Sequence, residues 1–327
     1  MSRLLKTNEA GIARIRKSIA SGDFDCYAIS LDAKAKAIQR YSKLGDFPTA
    51  IDLLNDVAHA IFKAGKGSSG GDVANELMAT YKVAKLEPDA TSKGRVLALL
   101  RAFPSGEPSR KTFIGEIISW SGQFGKFPAG DPELHHAAGS LYAQERLVGP
   151  AEHHLVLGTK DSPDVLVRLQ YAWYRKNDSH TAPFFCARSV LPYLLMRNLR
   201  SANAAYDRFV ALLTTDNPNL GTQEVRGSVN ACKLRVFPSL PLLNFLGFML
   251  LAVQRGTLSP EETDQIKRGD ERLWRELIMQ YKQDLEGLGW ESTLETIARM
   301  YFQIEPPRKF DMMGTLLSQM MGGGSRR

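Results

Sequence analysis

The sequence predicts an all-α protein, a right-handed α-solenoid built from antiparallel helix pairs. Nearly every apolar segment of the 327-residue chain repeats with the 3.6-residue period of a helix. Short pauses that contain glycine or proline separate these segments, so each predicted helix turns back against its neighbour. Hydrophobic residues make up 43% of the chain, which is ample for a continuous core along such a stack.

Five apolar stripes define the helices of the first third of the chain. Their members recur mostly every three or four residues: Ile12, Ile15 and Ile19; Ile29, Ala33 and Ala37; Ile51, Leu54, Ala58 and Phe62; Leu77, Tyr81 and Ala84; Val96, Leu99 and Phe103. The segments GDFDCYA (22–28) and GDFPTAI (45–51) echo each other, which indicates tetratricopeptide-like architecture at a shorter interval than that repeat. Residues 225–237 are the exception, because their alternating pattern predicts either a small β-hairpin or an extended connection.

The chain changes character near residue 160, where we place a boundary between two half-solenoids, residues 1–160 and 161–327. The second half is denser in aromatic residues and leucine. Its most apolar run, Leu240–Val253, is shorter than the roughly 20 residues that cross a bilayer. Because this run is apolar on all sides, it predicts a helix buried by protein.

The net charge and the cysteine content limit the classes of function that the chain can have. The net charge is +7, and its main local excess lies in the first twenty residues. This segment resembles a mitochondrial presequence in composition, but Glu9 and the smooth run into the Gly22–Asp23 turn favour a structured first helix. Basic residues without interleaved aromatics favour a face that meets an acidic protein over one that binds nucleic acid. Three distant cysteines, Cys26, Cys186 and Cys232, indicate a reducing compartment, so we expect a soluble, cytosolic chain without direct membrane insertion.

Two patterns in the sequence superficially suggest a metal or nucleotide site. His135–His136 and His153–His154 are adjacent pairs, so one metal centre would reach only one histidine of each, and a satisfied polar or core histidine is the favoured interpretation. Gly65–Gly71 lacks the order of a phosphate-binding loop, and it predicts a flexible interhelical loop with Asp72 as the N-cap of the next helix. We therefore expect no catalytic residue, metal or cofactor, and no enzyme activity.

The segment from Trp120 to Ser162 is the most specific part of the sequence. Gly130-Asp131-Pro132 predicts a stop and restart between helices, with Asp131 as N-cap and Pro132 in the first turn. The phrase G-D-P-x-L-H-x-x-x-G-x-x-L, followed by A-E-x-x-x-x-L-G-T-x-D-S, resembles the Golgi-to-ER traffic protein four family. Further matching blocks follow the family's order: Ser21–Phe24, Leu243–Leu246 with Leu250–Val253, Pro306–Lys309, and Gly314–Leu317 with the Met-Met-Gly-Gly-Gly tail.

This resemblance implies an adaptor in the pathway that guides tail-anchored membrane proteins to the endoplasmic reticulum. The N-terminal half would dock the homodimeric targeting ATPase of that pathway. The C-terminal half would hold a ubiquitin-like-domain protein that recruits a co-chaperone. Two alternatives stay open, a helical-repeat scaffold subunit of another large assembly and a basic RNA-binding solenoid.

The family places the ATPase-facing surface on the first helices. Here Arg14, Arg16 and Lys17 would form its basic patch, because the isoleucine stripe takes the buried side of the same helix. Asp72, at the start of a nearby helix, would supply a second contact of opposite sign. An ordinary solvated face is the competing interpretation.

A groove for the ubiquitin-like partner is expected from about residue 225 onward. One wall would come from the apolar helix, with Leu242, Phe245, Leu246 and Met249. The other would come from the end of the chain, with Phe302, Phe310, Leu316 and Met320. The competing interpretation is that residues 302–320 pack back as an intramolecular cap, so that no groove exists.

Overall fold

A computed structural model describes residues 2–22, 25–226, 233–257 and 264–305 of the chain. The chain divides into two compact units, residues 1–169 and 170–327. Their boundary falls inside a helix that begins at Ser162. The assignment of residues 1–160 and 161–327 to two different partners stays a prediction.

The N-terminal unit is a stack of helices joined by short turns. Its helices are α1 (Ser2–Ser21), α2 (Cys26–Leu44), α3 (Phe47–Lys63), α4 (Gly67–Val83), α5 (Ala90–Ala102), α6 (Pro108–Phe124), α7 (Pro132–Gln144), α8 (Val148–Val156) and the first part of α9 (Ser162–Tyr174). Most of these helices pack against the next one or two in the chain, as α3 does against α2, α4 and α5. Such nearest-neighbour packing is the defining feature of a solenoid.

The predicted apolar stripes form the core of this unit. Ile15 is 2% exposed, Ala33 and Leu54 are fully buried, and so are Leu77 and Val96. The helical period therefore identified the inward face of each of these helices correctly, because a helix in such a stack buries one apolar face.

The expected flexible loop at Gly65–Gly71 is wrong. Helix α4 begins at Gly67, its N-cap position is Lys66, and Asp72 lies inside the helix rather than capping it. The glycines serve close packing, since a Cβ on Gly70 would stand 2.6 Å from the Phe62 ring. A Cβ on Gly71 would stand 2.1 Å from Ser109 Oγ. Glycine here lets α4 approach α3 and α6 closely, and this tertiary packing outweighs its low helix propensity.

The C-terminal unit is also helical, with one small sheet among its described residues. After the end of α9 come α10 (Ala182–Leu195), α11 (Leu199–Asp216), β1 (Gln223–Arg226), β2 (Lys233–Val236), α12 (Pro241–Thr257), α13 (Asp264–Gln280), α14 (Lys282–Leu285) and α15 (Glu291–Phe302). The strands pair antiparallel, with Gln223 opposite Val236. The β-hairpin alternative for residues 225–237 is thereby supported, and the expected all-α solenoid is confirmed.

Helix α12 is the core of this unit, as its all-round apolar character predicted. Leu243 and Val253 are fully buried. The polar exception, Asn244, is 7% exposed, and its side chain accepts from Phe237 N at 2.7 Å and donates to Phe237 O at 2.9 Å. Among the helices described, none is long and apolar enough to cross a membrane.

Candidate partner-binding surfaces

The basic patch predicted on α1 is a solvent-facing surface. Arg14, Arg16 and Lys17 are all exposed, whereas Ile12 is 6% and Ile15 2% exposed on the opposite side. The isoleucines hold α1 against the unit, so the three cations project outward.

The three cations differ in orientation. Arg16 leans toward α3, where its Nη2 stands 3.8 Å from Asp56 Oδ2. Because both side chains are about half exposed and the distance is long, this pair contributes little to stability. At about 100° per residue, Arg14 and Lys17 lie farther from the buried stripe than Arg16.

Asp72 lies near the same end of the helical stack. Gly11 of α1 stands beside Lys36 of α2, since a Cβ on Gly11 would be 2.8 Å from Lys36 Cε. Because α1 and α2 run antiparallel, this register sets Lys17 opposite the N-terminal half of α2. There Ser30 donates to Ser69 O of α4 at 3.4 Å. Asp72 follows one turn later in α4 and is exposed. Helix α2 contacts both α1 and α4.

Between them, α2 exposes an apolar stripe that the sequence analysis missed. Tyr27 is 65% exposed, Leu31 48% and Ile38 42%. These residues lie within about 40° of one another around the helix axis, so they share one face of α2, on which Lys34 lies between Leu31 and Ile38. A second apolar stripe beside the buried Ile29–Ala37 stripe was the available signal. Single exposed apolar side chains are common, but an aligned row beside charges is typical of a protein contact.

The four histidines join α7, α8 and α9. His135 and His154 approach through their Nδ1 atoms at 2.9 Å. His135 Nε2 lies 3.0 Å from Ala129 O, so Nε2 must donate and Nδ1 must accept from His154. His136 Nδ1 lies 2.8 Å from Ser162 Oγ.

These hydrogen bonds indicate that the histidines hold neighbouring helices together. Burial lowers the pKa of His135, and burial with the neighbouring His135 and His153 charges lowers the pKa of His154 to about 4. Within the described residues, no three His, Cys, Asp or Glu side chains form a metal-binding group. The favoured interpretation of a satisfied polar or core histidine therefore describes His135, His136 and His154.

The predicted N-cap at Asp131 is confirmed, and it also joins two helices. The Asp131 carboxylate accepts from Glu133 N at 2.9 Å, and Pro132 occupies the first turn of α7. Lys93 Nζ, on α5, lies 3.2 Å from Asp131 Oδ2 and 2.6 Å from Glu133 Oε2. The specific phrase in the sequence thus encodes a capped helix start tied to the preceding layer.

Comparison with known proteins decides the family. A sequence model of the family described as Golgi to ER traffic protein 4 matches residues 45–321. The chain is 41% identical to the Golgi to ER traffic protein 4 of Aspergillus fumigatus, over 100% of this chain and 93% of that protein. It is 28% identical to the protein of the same name from Schizosaccharomyces pombe, over 88% of each. The chain belongs to the Golgi to ER traffic protein 4 family.

A solved structure extends this relationship to three dimensions. The crystal structure of C. therm. Get4 matches with a TM-score of 0.83 and 43% sequence identity, covering 98% of each chain. The Golgi to ER traffic protein 4 sequence model starts at Gly45, so α1 and α2 precede it. The Aspergillus fumigatus match includes them, since it covers 100% of this chain.

In the C-terminal unit, the four α12 residues predicted to line a partner groove are covered by the chain itself. Phe245, Leu246 and Met249 are fully buried and Leu242 is 9% exposed. Phe302 is 8% exposed and stacks on Trp274 at a centroid distance of 4.8 Å. Phe310, Leu316 and Met320 lie outside the described residues. Their assignment to a partner interface stays a prediction, and the sequence could not show that α13 and α15 cover α12.

One edge of α12 is open along α13. Phe248 and Leu251 of α12 face Leu273 and Leu277 of α13 across a cleft of about 390 Å³. Arg255 closes the cleft rim and pairs with Asp270 at 3.1 Å. This cleft, called the α12–α13 cleft below, is apolar inside and charged at its rim, which is the usual composition of a protein-binding groove.

Proposed function

We propose that the chain is a non-enzymatic adaptor in the post-translational targeting of tail-anchored membrane proteins to the endoplasmic reticulum. It would act in the cytosol and bridge the homodimeric targeting ATPase to a ubiquitin-like-domain protein that recruits a co-chaperone. Membership of the Golgi to ER traffic protein 4 family carries this proposal, because the relationship spans the whole chain in sequence and in fold. Fold alone would not carry it, since solenoids serve many functions.

The ATPase is proposed to dock on the outer face of α1 and α2. Arg14, Arg16 and Lys17 would steer an acidic partner toward this face, because opposite charges accelerate encounter. The exposed row of Tyr27, Leu31 and Ile38 would then supply the apolar contact that holds the complex. Charge at the rim and apolar area at the centre is the ordinary division in such interfaces.

Asp72 is proposed to tune the ATPase rather than to anchor it. It is exposed on α4 and has the opposite sign to the basic patch. An adaptor that contacts two parts of a moving partner favours the conformation that satisfies both contacts. The chain would therefore change the partner's turnover without hydrolysing nucleotide itself.

The ubiquitin-like partner is proposed to bind the C-terminal unit at the α12–α13 cleft. The predicted residues Leu242, Phe245, Leu246 and Met249 would support this site from beneath, since they lie on the same helix but are buried. Phe248 and Leu251 would make the contact, because they line the open edge of that helix. An apolar segment of the partner would remove them from water at roughly 25 cal/mol per Å², less the cost of ordering it.

Co-purification tests the proposal as a whole. The tagged full chain is captured from cells at physiological salt, and the bound chains are identified by mass. We expect one ATPase and one ubiquitin-like-domain protein, with the co-chaperone lost when the latter is absent. Recovery of a many-subunit assembly would instead support the scaffold alternative, and RNA released by salt would support the RNA-binding alternative.

A further inference from the structure

One edge of the N-terminal unit is formed by three turns that lie side by side. They are the α3–α4 turn (64–66), the α5–α6 turn (103–107) and the α7–α8 turn (145–147). The rings of Phe62 and Phe103 meet at a centroid distance of 4.4 Å, where α3 and α5 end. Ser105 Oγ donates to Glu145 Oε1 at 2.6 Å and thereby joins the second turn to the third. Because packed helices lie roughly 8–10 Å apart, this row of turns is about 20 Å long.

Exposed cations follow this edge, in the turns and at the helix ends beside them: Lys63, Lys66, Arg101, Lys111 and Arg146. The two carboxylates within the turns are engaged by neighbouring side chains. Glu107 Oε1 accepts from Ser109 Oγ at 3.0 Å. Glu145, 19% exposed, pairs with the buried Arg110. The exposed Asp72 lies five residues into α4, about 8 Å from its start. The row therefore presents positive charge, and it is called the cationic edge below.

Helix stability does not account for all of these cations. Lys63 and Arg101 lie in the last turns of α3 and α5, where a cation complements the negative end of the helix dipole. Lys66 is the N-cap residue of α4 and Lys111 lies in the first turn of α6, where a cation opposes the dipole. Residues that break a local rule in this way are expected at functional surfaces.

The opposite edge of the same unit has no such excess of positive charge. Its turns comprise residues 84–89, 125–131 and 157–161. Three exposed cations and three exposed carboxylates share them: Lys85, Lys126 and Lys160 with Glu87, Asp89 and Asp161. Helices α4 to α7, which connect the two edges, have 13–17 residues and are therefore about 20–25 Å long. Because the Debye length is about 10 Å at 0.1 M salt, the two edges act as separate electrostatic surfaces.

We propose that the cationic edge binds the surface of a membrane that contains anionic phospholipids. A planar anionic surface attracts every cation of such a row at once, whereas a protein partner needs buried apolar anchors. Leu147, 46% exposed, is the one large apolar side chain exposed in the three turns. Phe103, the one aromatic residue in them, is 5% exposed, which disfavours stacking on single-stranded nucleic acid. The inference concerns this surface alone, so it stands or fails independently of the adaptor function proposed above.

Vesicle flotation of the purified full-length chain tests this proposal. The probes are vesicles of phosphatidylcholine alone and of phosphatidylcholine with about 30% phosphatidylserine. We expect the chain to bind the anionic vesicles at low salt, to release them as salt rises, and not to bind the neutral vesicles. Equal binding to the two compositions would overturn the proposal. A chain that retains an RNA homopolymer but neither kind of vesicle would overturn it as well, because the edge would then suit nucleic acid.

Two triple variants of equal net charge locate the binding surface. One reverses three charges of the cationic edge: Lys63→Glu, Lys66→Glu and Arg146→Glu. The other reverses three charges of the opposite edge: Lys85→Glu, Lys126→Glu and Lys160→Glu. A cation near an anionic membrane raises partitioning about fivefold, so the first variant should bind at least about 100-fold more weakly. The second should lose less than about threefold at about 0.1 M salt, because its charges stand beyond the Debye length.

Two outcomes of this comparison contradict the proposal. Equal losses in the two triple variants, with helix content intact by circular dichroism, would show that net charge alone attracts the chain to the vesicles. Wild-type binding in the cationic-edge variant, together with loss of binding in the Arg14→Glu, Arg16→Glu, Lys17→Glu variant, would assign the lipid to α1 instead.

A tryptophan introduced at Leu147 gives an independent measure of membrane contact. Leu147→Trp places the ring on the cationic edge. Val83→Trp is the matched control, since Val83 is 57% exposed at the end of α4 on the opposite edge. On anionic vesicles the emission of Leu147→Trp, after subtraction of the wild-type signal, should shift to shorter wavelength, because the indole enters the membrane interface. Val83→Trp should show no shift. A shift in Val83→Trp alone would place the membrane on the wrong edge and refute the assignment.

Discussion

His135 and His154 hold α7 to α8 through their Nδ1 atoms, 2.9 Å apart, in one tautomeric arrangement. His135 donates from Nε2 to Ala129 O, which obliges His154 to be the donor between the two rings. A proton on Nδ1 of both rings would place two N–H groups face to face. The contact therefore excludes protonation of both histidines together, and it couples the packing of this helical hairpin to pH.

The stability of the chain should fall as pH is lowered from about 6.5 toward 4. Burial lowers the folded-state pKa of His135 and lowers that of His154 to about 4, whereas unfolded histidine titrates near 6.5. Below about pH 6.5 the unfolded chain thus binds more protons than the folded chain, so acid favours unfolding. Urea unfolding between pH 7.5 and 4.5 measures this. His154→Gln should flatten the decline, whereas the exposed His180→Gln should follow wild type.

Charge reversal on α1 should slow association with the ATPase. Arg14→Glu, Arg16→Glu and Lys17→Glu together should lower the association rate about tenfold at low salt and flatten its salt dependence. Arg101→Glu, Lys111→Glu and Lys126→Glu make the same change in net charge at exposed positions of the same unit, and should have little effect. Stopped-flow mixing over a range of ionic strength measures both triple variants. Identical rates for the two at low salt would refute the assignment of this face.

Substitution of Asp72 should alter the partner's turnover more than its binding. Because Asp72 is proposed to discriminate between ATPase conformations, Asp72→Asn should reduce the chain's effect on ATPase turnover about fivefold. The exposed Asp161→Asn should leave that effect unchanged. Steady-state hydrolysis with and without the chain measures it. Hydrolysis by the purified chain alone, abolished by a single substitution in it, would contradict the adaptor proposal.

Replacing apolar side chains at the edge of the α12–α13 cleft with uncharged polar ones should weaken binding of the ubiquitin-like partner. Phe248→Ser with Leu251→Ser removes apolar contacts at the cleft edge, and we expect affinity for the partner to fall at least about tenfold. Leu195→Ser with Met196→Ser is the control, since these residues are 37% and 51% exposed in the same unit. Titration calorimetry compares the two. Wild-type affinity in the cleft variant, with the fold intact by circular dichroism, would exclude this cleft.

The close-packed glycines of α4 should tolerate no side chain. In Gly70→Ala and Gly71→Ala the new Cβ would stand 2.6 Å from the Phe62 ring and 2.1 Å from Ser109 Oγ. We expect each variant to lose about 1–3 kcal/mol of unfolding free energy. Gly115 of α6 is also helical, but a Cβ added there would have nothing within 4 Å, so Gly115→Ala should gain about 0.5–1 kcal/mol. Urea unfolding of the three variants gives the sign of each change.

Local signals in the sequence were sufficient where local interactions decide the structure. Asp131 caps α7 because its side chain and the following proline act within one turn, and both are visible in the sequence. The glycine run before Asp72 failed because its preference for loops competes with packing against Phe62 and Ser109, which are distant in the chain. Propensity is a weak prior wherever tertiary contacts oppose it.

The candidate surfaces show the same difference between features that local sequence predicts and features that tertiary packing decides. The outward orientation of Arg14 and Lys17 followed from the isoleucine stripe, because one buried side of a helix fixes the other. Helix α12 offered no such information, since every side of it is apolar. Which edge of α12 stays exposed depends on where α13 and α15 pack against it. Local patterns in the sequence do not show such long-range contacts.

The amide of Asn244 has a consequence for how α12 is seated. A helix that is apolar all round could rotate about its own axis at little cost, because any rotation buries a similar area. Asn244 bonds both the N–H and the carbonyl of Phe237, and those two groups find a joint partner at a single angle. This one polar residue therefore sets the rotation of a helix that is apolar on nearly every side. It thereby determines that Phe248 and Leu251, rather than Leu246 and Met249, face outward.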